Sequence, residues 1–134
     1  MSISPLIYVG HANGANYSSE NIASTTWVLF LLIGELVSLG HILLGPMTKN
    51  VAKYSVVIEL LTNAIALGIF ELMVNMDSQL MVSHLNHIYH VINLLLFHQY
   101  IRVCLLECSF ECIRYQHVPR SSNTLDDLLD KFVL

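Results

Sequence analysis

Charged residues are scarce in this chain of 134 residues, at 12% of the composition, whereas an ordinary soluble domain carries about 25%. Apolar residues reach 54%, so the surface is unusually apolar or is partly covered by a partner or a membrane. The net charge of −4 disfavours a protein that binds nucleic acid tightly by neutralising its phosphates. The length suits a single domain, residues 1–134, with one core.

Cysteine is also scarce, and its three copies are clustered at Cys104, Cys108 and Cys112. An odd, clustered set is not the framework of a secreted disulfide-rich domain, and residues 1–8 do not form a secretory signal. We therefore expect an intracellular protein, in the cytoplasm or the nucleus. The cysteine spacing matches no standard zinc motif, and His84, His87 and His90 would share one helix face only approximately.

The chain lacks a long apolar run that is free of charge. Residues 27–45 approach the ~20 residues that a spanning helix needs, but Glu35 lies near the middle, where a carboxylate costs at least ~2.5 kcal/mol in a bilayer. We predict instead two strands over residues 27–44, joined by a hairpin at Gly34. A small membrane-associated protein, built on this run and on residues 91–106, stays open as an alternative.

Hydrophobic periodicity and turn residues predict a mixed α/β domain. In chain order we predict a strand at 5–9, a loop at 10–24, strands at 27–33 and 35–44, a helix at 48–67, a strand at 69–76, helices at 78–85 and 91–107, a strand at 110–118 and a helix at 123–132. The leading strands predict an antiparallel part, and the later alternation predicts parallel strands with helical crossovers. The apolar stripe of helix 91–107 is too wide for one buried face, which indicates a central helix or a surface for self-association or a protein partner.

Four segments resemble the ribonuclease H domain of retrotransposon polyproteins, of the gypsy type found in plants. They are "GELVSLGHILLGP" (34–46), "TKNVAKYSVVIELLTNAIALGI" (48–69), "LMVNMDSQLMVSHLN" (72–86) and "YQHVPRSSNTLDDLLDKFVL" (115–134). Together they span nearly all of residues 34–134, whereas residues 1–33 match poorly. The resemblance implies a ribonuclease H-like fold: a five-stranded mixed sheet, with three antiparallel and then parallel strands, flanked by helices.

The resemblance also implies a chemistry. Family enzymes cut the RNA strand of an RNA–DNA hybrid with two divalent cations, normally Mg²⁺, which activate a water and stabilise the leaving oxygen. Hard oxygen ligands hold these ions, hence an Asp-Glu-Asp-Asp cluster. In this chain the third carboxylate corresponds to Asp77 in "MDSQL" and the fourth to Asp127 in "NTLDDLL". The family histidine corresponds to His117, with Asn123 following at the expected spacing.

The other two carboxylates are not retained. The Glu of the family's A-E-Y motif is Lys53 in "AKY", and the Asp of the first strand falls at Gly10 or His11 in "YVGHANG". Glycine offers no side-chain ligand, and imidazole suits Zn²⁺ better than Mg²⁺. An ammonium about 4 Å from a cation is repelled by ~4 kcal/mol per unit charge, even at an effective dielectric near 20. We therefore expect Lys53 to pair with Asp77, and Mg²⁺ to bind weakly.

The leading hypothesis is a retroelement-derived ribonuclease H-like protein whose impaired two-metal site leaves a non-catalytic nucleic-acid or protein interaction module. Its partner would be an RNA–DNA hybrid or RNA, held weakly, or another protein. The main alternative is a weak hybrid endonuclease that uses Asp77, Asp127 and either Glu59 or His11. Without the resemblance, Asp77 would be a helix cap, and the acidic residues 126–130 would be a solvated helix face.

Overall fold

The computed structural model describes residues 8–17, 22–31, 34–45, 49–87 and 94–119. Its elements are β1 (Tyr8–Tyr17), β2 (Ile22–Leu31), β3 (Leu36–Gly45), α1 (Lys49–Ala66), β4 (Glu71–Met76), α2 (Gln79–Leu85), α3 (Leu94–Glu107) and β5 (Cys112–His117). The strands form one sheet in the order β3-β2-β1-β4-β5. Pairing is antiparallel from β3 to β1 and parallel from β1 through β4 to β5, so the predicted mixed sheet is confirmed.

A glycine turn joins β2 to β3. Gly34 has a φ of 103°, a left-handed conformation that glycine adopts without a Cβ penalty. Its N–H donates to the Leu31 carbonyl at 2.8 Å, and the Leu31 N–H donates to the Glu35 carbonyl at 2.9 Å. The predicted hairpin is confirmed, and residues 27–31 and 36–44 form strands. Within the described residues, no helix is long and apolar enough to span a membrane.

The loop predicted for residues 10–24 is wrong, because β1 runs through the segment rich in Gly, Ala and Asn and β2 begins at Ile22. β1 is the central strand and is paired on both sides. A Cβ added to Gly10 would lie 2.8 Å from Cδ2 of Leu60 on α1. The composition that resembles a loop therefore marks a strand over which a helix packs closely.

Helix α1 supplies the main apolar face of the core. It packs across β1 and β2 and against α3. The stripe predicted from helical periodicity is fully buried at Val57, Leu60, Leu61 and Ala64. The predicted cap Thr48 and the predicted helix at 123–132 lie outside the described residues.

Strand β4 and helix α3 differ in how completely they are buried. Along β4, alternate residues face the core, and Leu72, Val74 and Met76 are buried. Helix α3 buries Val103 but exposes apolar side chains over much of its surface. Of the two expectations for this helix, a buried central helix is therefore excluded. The exposed apolar residues of α3 are Leu94, Leu95, Phe97, Ile101 and Leu105.

Candidate functional site

Three neighbouring strands end their parallel pairing at one row of the sheet. Met76, the last residue of β4, is paired with Ala12 of β1 on one side and with His117 of β5 on the other. Asp77 and Ser78 follow Met76 directly. We call these five residues the carboxyl edge. The topology thus brings Asp77 and His117, two of the residues identified by resemblance, to the same edge of the sheet.

Ser78, rather than Asp77, caps helix α2. Its φ and ψ of −101° and 107° are extended, and its side-chain oxygen accepts a hydrogen bond from the Met81 N–H at 3.3 Å. Asp77 therefore lies, half-buried, between the strand end and the cap. The interpretation of Asp77 as a simple helix cap is wrong. Sequence reasoning did not single out Ser78, although serine before a helix is the usual signal for an N-cap.

Lys53 of α1 reaches the carboxyl edge. This half-buried side chain donates from Nζ to Oγ of Ser78 at 3.5 Å. Consecutive Cα atoms are about 3.8 Å apart, so Lys53 lies close to the Asp77–Ser78 turn, as the matched spacing predicted. The hydrogen bond shown goes to the hydroxyl, so the predicted pairing of Lys53 with the Asp77 carboxylate stays a prediction. Asp127, the third member of the predicted cluster, lies outside the described residues.

The pairing register shows which β1 residue is level with the carboxyl edge. Gly10 is paired with Val74, two residues before Met76, whereas Ala12 is paired with Met76 itself. Gly10 and Ala12 point to the same face of the sheet, and a Cβ on Gly10 would meet Leu60. Gly10 is thus about 7 Å back from the edge. The residue at the edge is Ala12, which is 1% exposed and has no ligating atom in its side chain.

The two alternative ligands lie elsewhere. His11 alternates with Gly10 and Ala12 and so points to the opposite face of the sheet, where its ring meets Phe30 edge-on at 6.0 Å. Glu59 is six residues after Lys53, about 9 Å further along α1 and turned to another side of the helix. Neither position brings a side chain to the Asp77–Ser78 turn from the side on which Lys53 lies.

His117 is exposed at the end of β5. The next residue fixes the strand end, because the Val118 N–H donates to the Met76 carbonyl at 2.9 Å. His117 is therefore held beside β4 while its ring remains accessible to solvent. Its predicted companion Asn123 lies outside the described residues.

A two-metal centre does not fit the described side chains of this edge. Asp77 is the one carboxylate there, Ala12 carries no ligand, and Lys53 brings an ammonium. Across the described residues, no three His, Cys, Asp or Glu side chains are grouped closely enough to hold a metal ion. The three cysteines are free thiols, and His90 lies outside the described part of the chain.

The sheet order, the helix over β1 and β2 and the carboxyl edge define a ribonuclease H-like domain. The sequence profile of the family described as reverse transcriptase-like matches residues 11–132, and the chain belongs to that family. Two curated relatives, the bifunctional protein Rv2228c of Mycobacterium tuberculosis and the uncharacterized protein Mb2253c of Mycobacterium bovis, are each 37% identical over 86 residues, or 64% of this chain. The chain spans 24% of the length of these relatives.

Solved structures have the same architecture. The N-terminal RNase H domain of Rv2228c, studied as a fusion with maltose-binding protein, has a TM-score of 0.85 at 28% identity, covering 94% of this chain and 95% of that one. RNase H1 of the halophilic archaeon Halobacterium salinarum has a TM-score of 0.84 at 26% identity, with coverages of 93% and 98%. LC11-RNase H1, solved with an RNA/DNA hybrid, has a TM-score of 0.83 at 22% identity, with coverages of 95% and 99%, and supports the fold alone.

Proposed function

We propose that this chain is a retroelement-derived ribonuclease H-like module that binds an RNA–DNA hybrid weakly and does not cleave it by two-metal hydrolysis. The observation that carries the proposal is the position of Lys53, whose Nζ lies 3.5 Å from Oγ of Ser78, next to Asp77. The family and the ribonuclease H domains of similar fold make the RNA–DNA hybrid the ligand to test.

Two differences from the family pattern support the proposed loss of hybrid cleavage. The resemblance puts a carboxylate where Lys53 stands, and we propose that Ala12, level with Met76, stands where the first-strand carboxylate would be. A cation about 4 Å from the ammonium would be repelled by ~4 kcal/mol per unit charge at an effective dielectric near 20. Asp77 and Asp127 by themselves would leave two cations with too few oxygen ligands. Mg²⁺ would then bind weakly, and the attacking water would not be activated.

A cleavage assay tests this proposal. The purified protein is incubated with a hybrid whose RNA strand is end-labelled, in Mg²⁺ and separately in Mn²⁺. We expect no more RNA cleavage than in a control without protein. The Asp77→Asn variant should give the same result as the unmodified protein. Metal-dependent cleavage that Asp77→Asn abolishes would instead establish the alternative, a weak hybrid endonuclease. Anisotropy of the same hybrid, titrated with protein, tests binding separately.

The exposed face of α3 favours a second candidate, interaction with a protein or with another copy of this chain. Leu94 and Leu105 are 73% and 67% exposed, at opposite ends of the helix. Apolar side chains exposed in this number on one helix are typical of a contact surface. Sedimentation should show concentration-dependent association that Leu105→Glu reduces. A monodisperse monomer at all concentrations would rule out self-association.

A further inference from the structure

Lys53 brings a fixed positive charge to an edge at which family enzymes use divalent cations. We propose that its ammonium takes over the charge-neutralising part of a metal ion, so that the carboxyl edge accepts a phosphodiester of an RNA–DNA hybrid without any divalent metal. The inference rests on the proposed hybrid binding and names the residue and the ligand group that would carry it.

The surroundings of Lys53 fix the part of α1 that carries it. Its chain neighbours Ala52 and Tyr54 are fully buried, so the backbone of α1 is fixed against the core at this point. The Tyr54 hydroxyl lies 3.2 Å from Nδ1 of His84 on α2, and Ser78, which receives the Lys53 hydrogen bond, caps the same helix. The backbone that carries Lys53 is therefore fixed, and the ammonium contacts the cap of α2, whereas a lysine on an open surface has a long side chain that moves freely.

The hydrogen-bonding capacity of Lys53 leaves room for a ligand. An ammonium carries three N–H donors, and the bond to Ser78 is long, at 3.5 Å. Since Lys53 is half-buried, solvent reaches part of the side chain. A phosphate oxygen at this edge can accept from the remaining donors while the serine contact is kept.

Charge balance explains why a metal is not needed. A phosphodiester that approaches Asp77 meets a carboxylate of the same sign, and in a two-metal site the cations relieve that repulsion. Lys53 supplies one positive charge within reach of the same turn, which attracts the phosphate and weakens this repulsion. This charge belongs to the chain and is not removed by a chelator. An ammonium has no open coordination position for water, so binding is separated from hydrolysis.

The test is binding of a labelled RNA–DNA hybrid by fluorescence anisotropy, in EDTA and in Mg²⁺. We expect affinities within about twofold of each other in the two buffers, since the proposed contact to the phosphate comes from Lys53 and not from a metal ion. In EDTA, Lys53→Gln should weaken binding by about tenfold and lower the salt slope by about one counterion. Lys53→Arg should retain binding in EDTA, and Lys53→Glu should make it depend on Mg²⁺.

Arg102→Gln is the matched control, because it removes the same charge from an exposed position on α3. It should change the affinity by less than about twofold, which separates a local contact from net charge. Thermal melts check folding, and Lys53→Met, which keeps the apolar stem, is a second neutral variant. The inference is overturned if the protein does not bind the hybrid in EDTA, or if Lys53→Gln and Lys53→Met both bind it as tightly as the unmodified protein does. In either case the proposed hybrid binding still stands. Absence of binding in every buffer overturns the proposed function as well.

Discussion

The hydroxyl of Tyr54 lies 3.2 Å from Nδ1 of His84, and this buried contact joins α1 to α2 one residue away from Lys53. The two rings are nearly parallel, at 17°, with centroids 6.4 Å apart. Burial is the main cause that raises the pKa of Tyr54 to about 12, and burial also lowers the pKa of His84. The pair is thus held in its neutral form at physiological pH.

This contact predicts how stability depends on pH. Since the folded pKa of His84 lies below the ordinary 6.5, the unfolded chain takes up the proton first as the pH falls. The contribution of His84 to stability is therefore complete above the unfolded pKa and is lost as the pH falls through the folded pKa. Urea unfolding between neutral and mildly acidic pH should show this decline. His84→Gln should flatten it, whereas His98→Gln, at an exposed position on α3, should not.

The cap of α2 makes a prediction about Ser78. Ser78→Ala removes the acceptor for the Met81 N–H and the partner of Lys53, and should lower the free energy of unfolding by about 1 kcal/mol. Ser55→Ala is the control, because that hydroxyl only bonds back to the Val51 carbonyl at 2.9 Å within α1. If denaturant titrations show the same loss in the free energy of unfolding for both variants, Ser78 does not have the capping role.

The pairing of Gly40 with Trp27 makes a prediction about β3. The indole lies over the glycine, and an added Cβ would come within 2.5 Å of Trp27 Cε2. Gly40→Ala should therefore displace the ring and cost about 1–3 kcal/mol. Because Trp27 is the only tryptophan, its fluorescence reports the displacement directly. Ser38→Ala, in the same strand, should leave both the emission and the stability nearly unchanged.

The register of β1 decides where a carboxylate has to be restored. Lys53→Glu combined with Ala12→Asp should increase Mg²⁺ binding by calorimetry, because Ala12 is level with Met76. Lys53→Glu combined with Gly10→Asp should instead lose about 1–3 kcal/mol of stability through the contact with Leu60. Tighter Mg²⁺ binding in the Gly10 variant than in the Ala12 variant would show that the family position is Gly10.

Several parts of the site could be predicted from the sequence because they depend on neighbours along the chain. Asp77 follows an alternating strand, and Lys53 stands in a helix whose apolar stripe is plain in the periodicity. The spacing of the segments that resemble the family predicted that these two residues lie close together. That Ala12 lies level with Met76 could not be predicted, because residues 10–17 have a turn-like composition and because β4, which sets this register, is distant in sequence.

Local properties such as periodicity and backbone conformation were enough to predict the helix stripe of α1 and the hairpin at Gly34. The resemblance adds the prediction that Lys53 stands where the family has a glutamate. The folded structure was needed to show that β1 is the central strand, that Ala12 is level with Met76 and that Lys53 contacts Ser78. These features depend on the register between strands and on the position of α1 over the sheet. Hairpin pairing with β2, parallel pairing with β4 and the packing of α1 overrode the local preference for a loop.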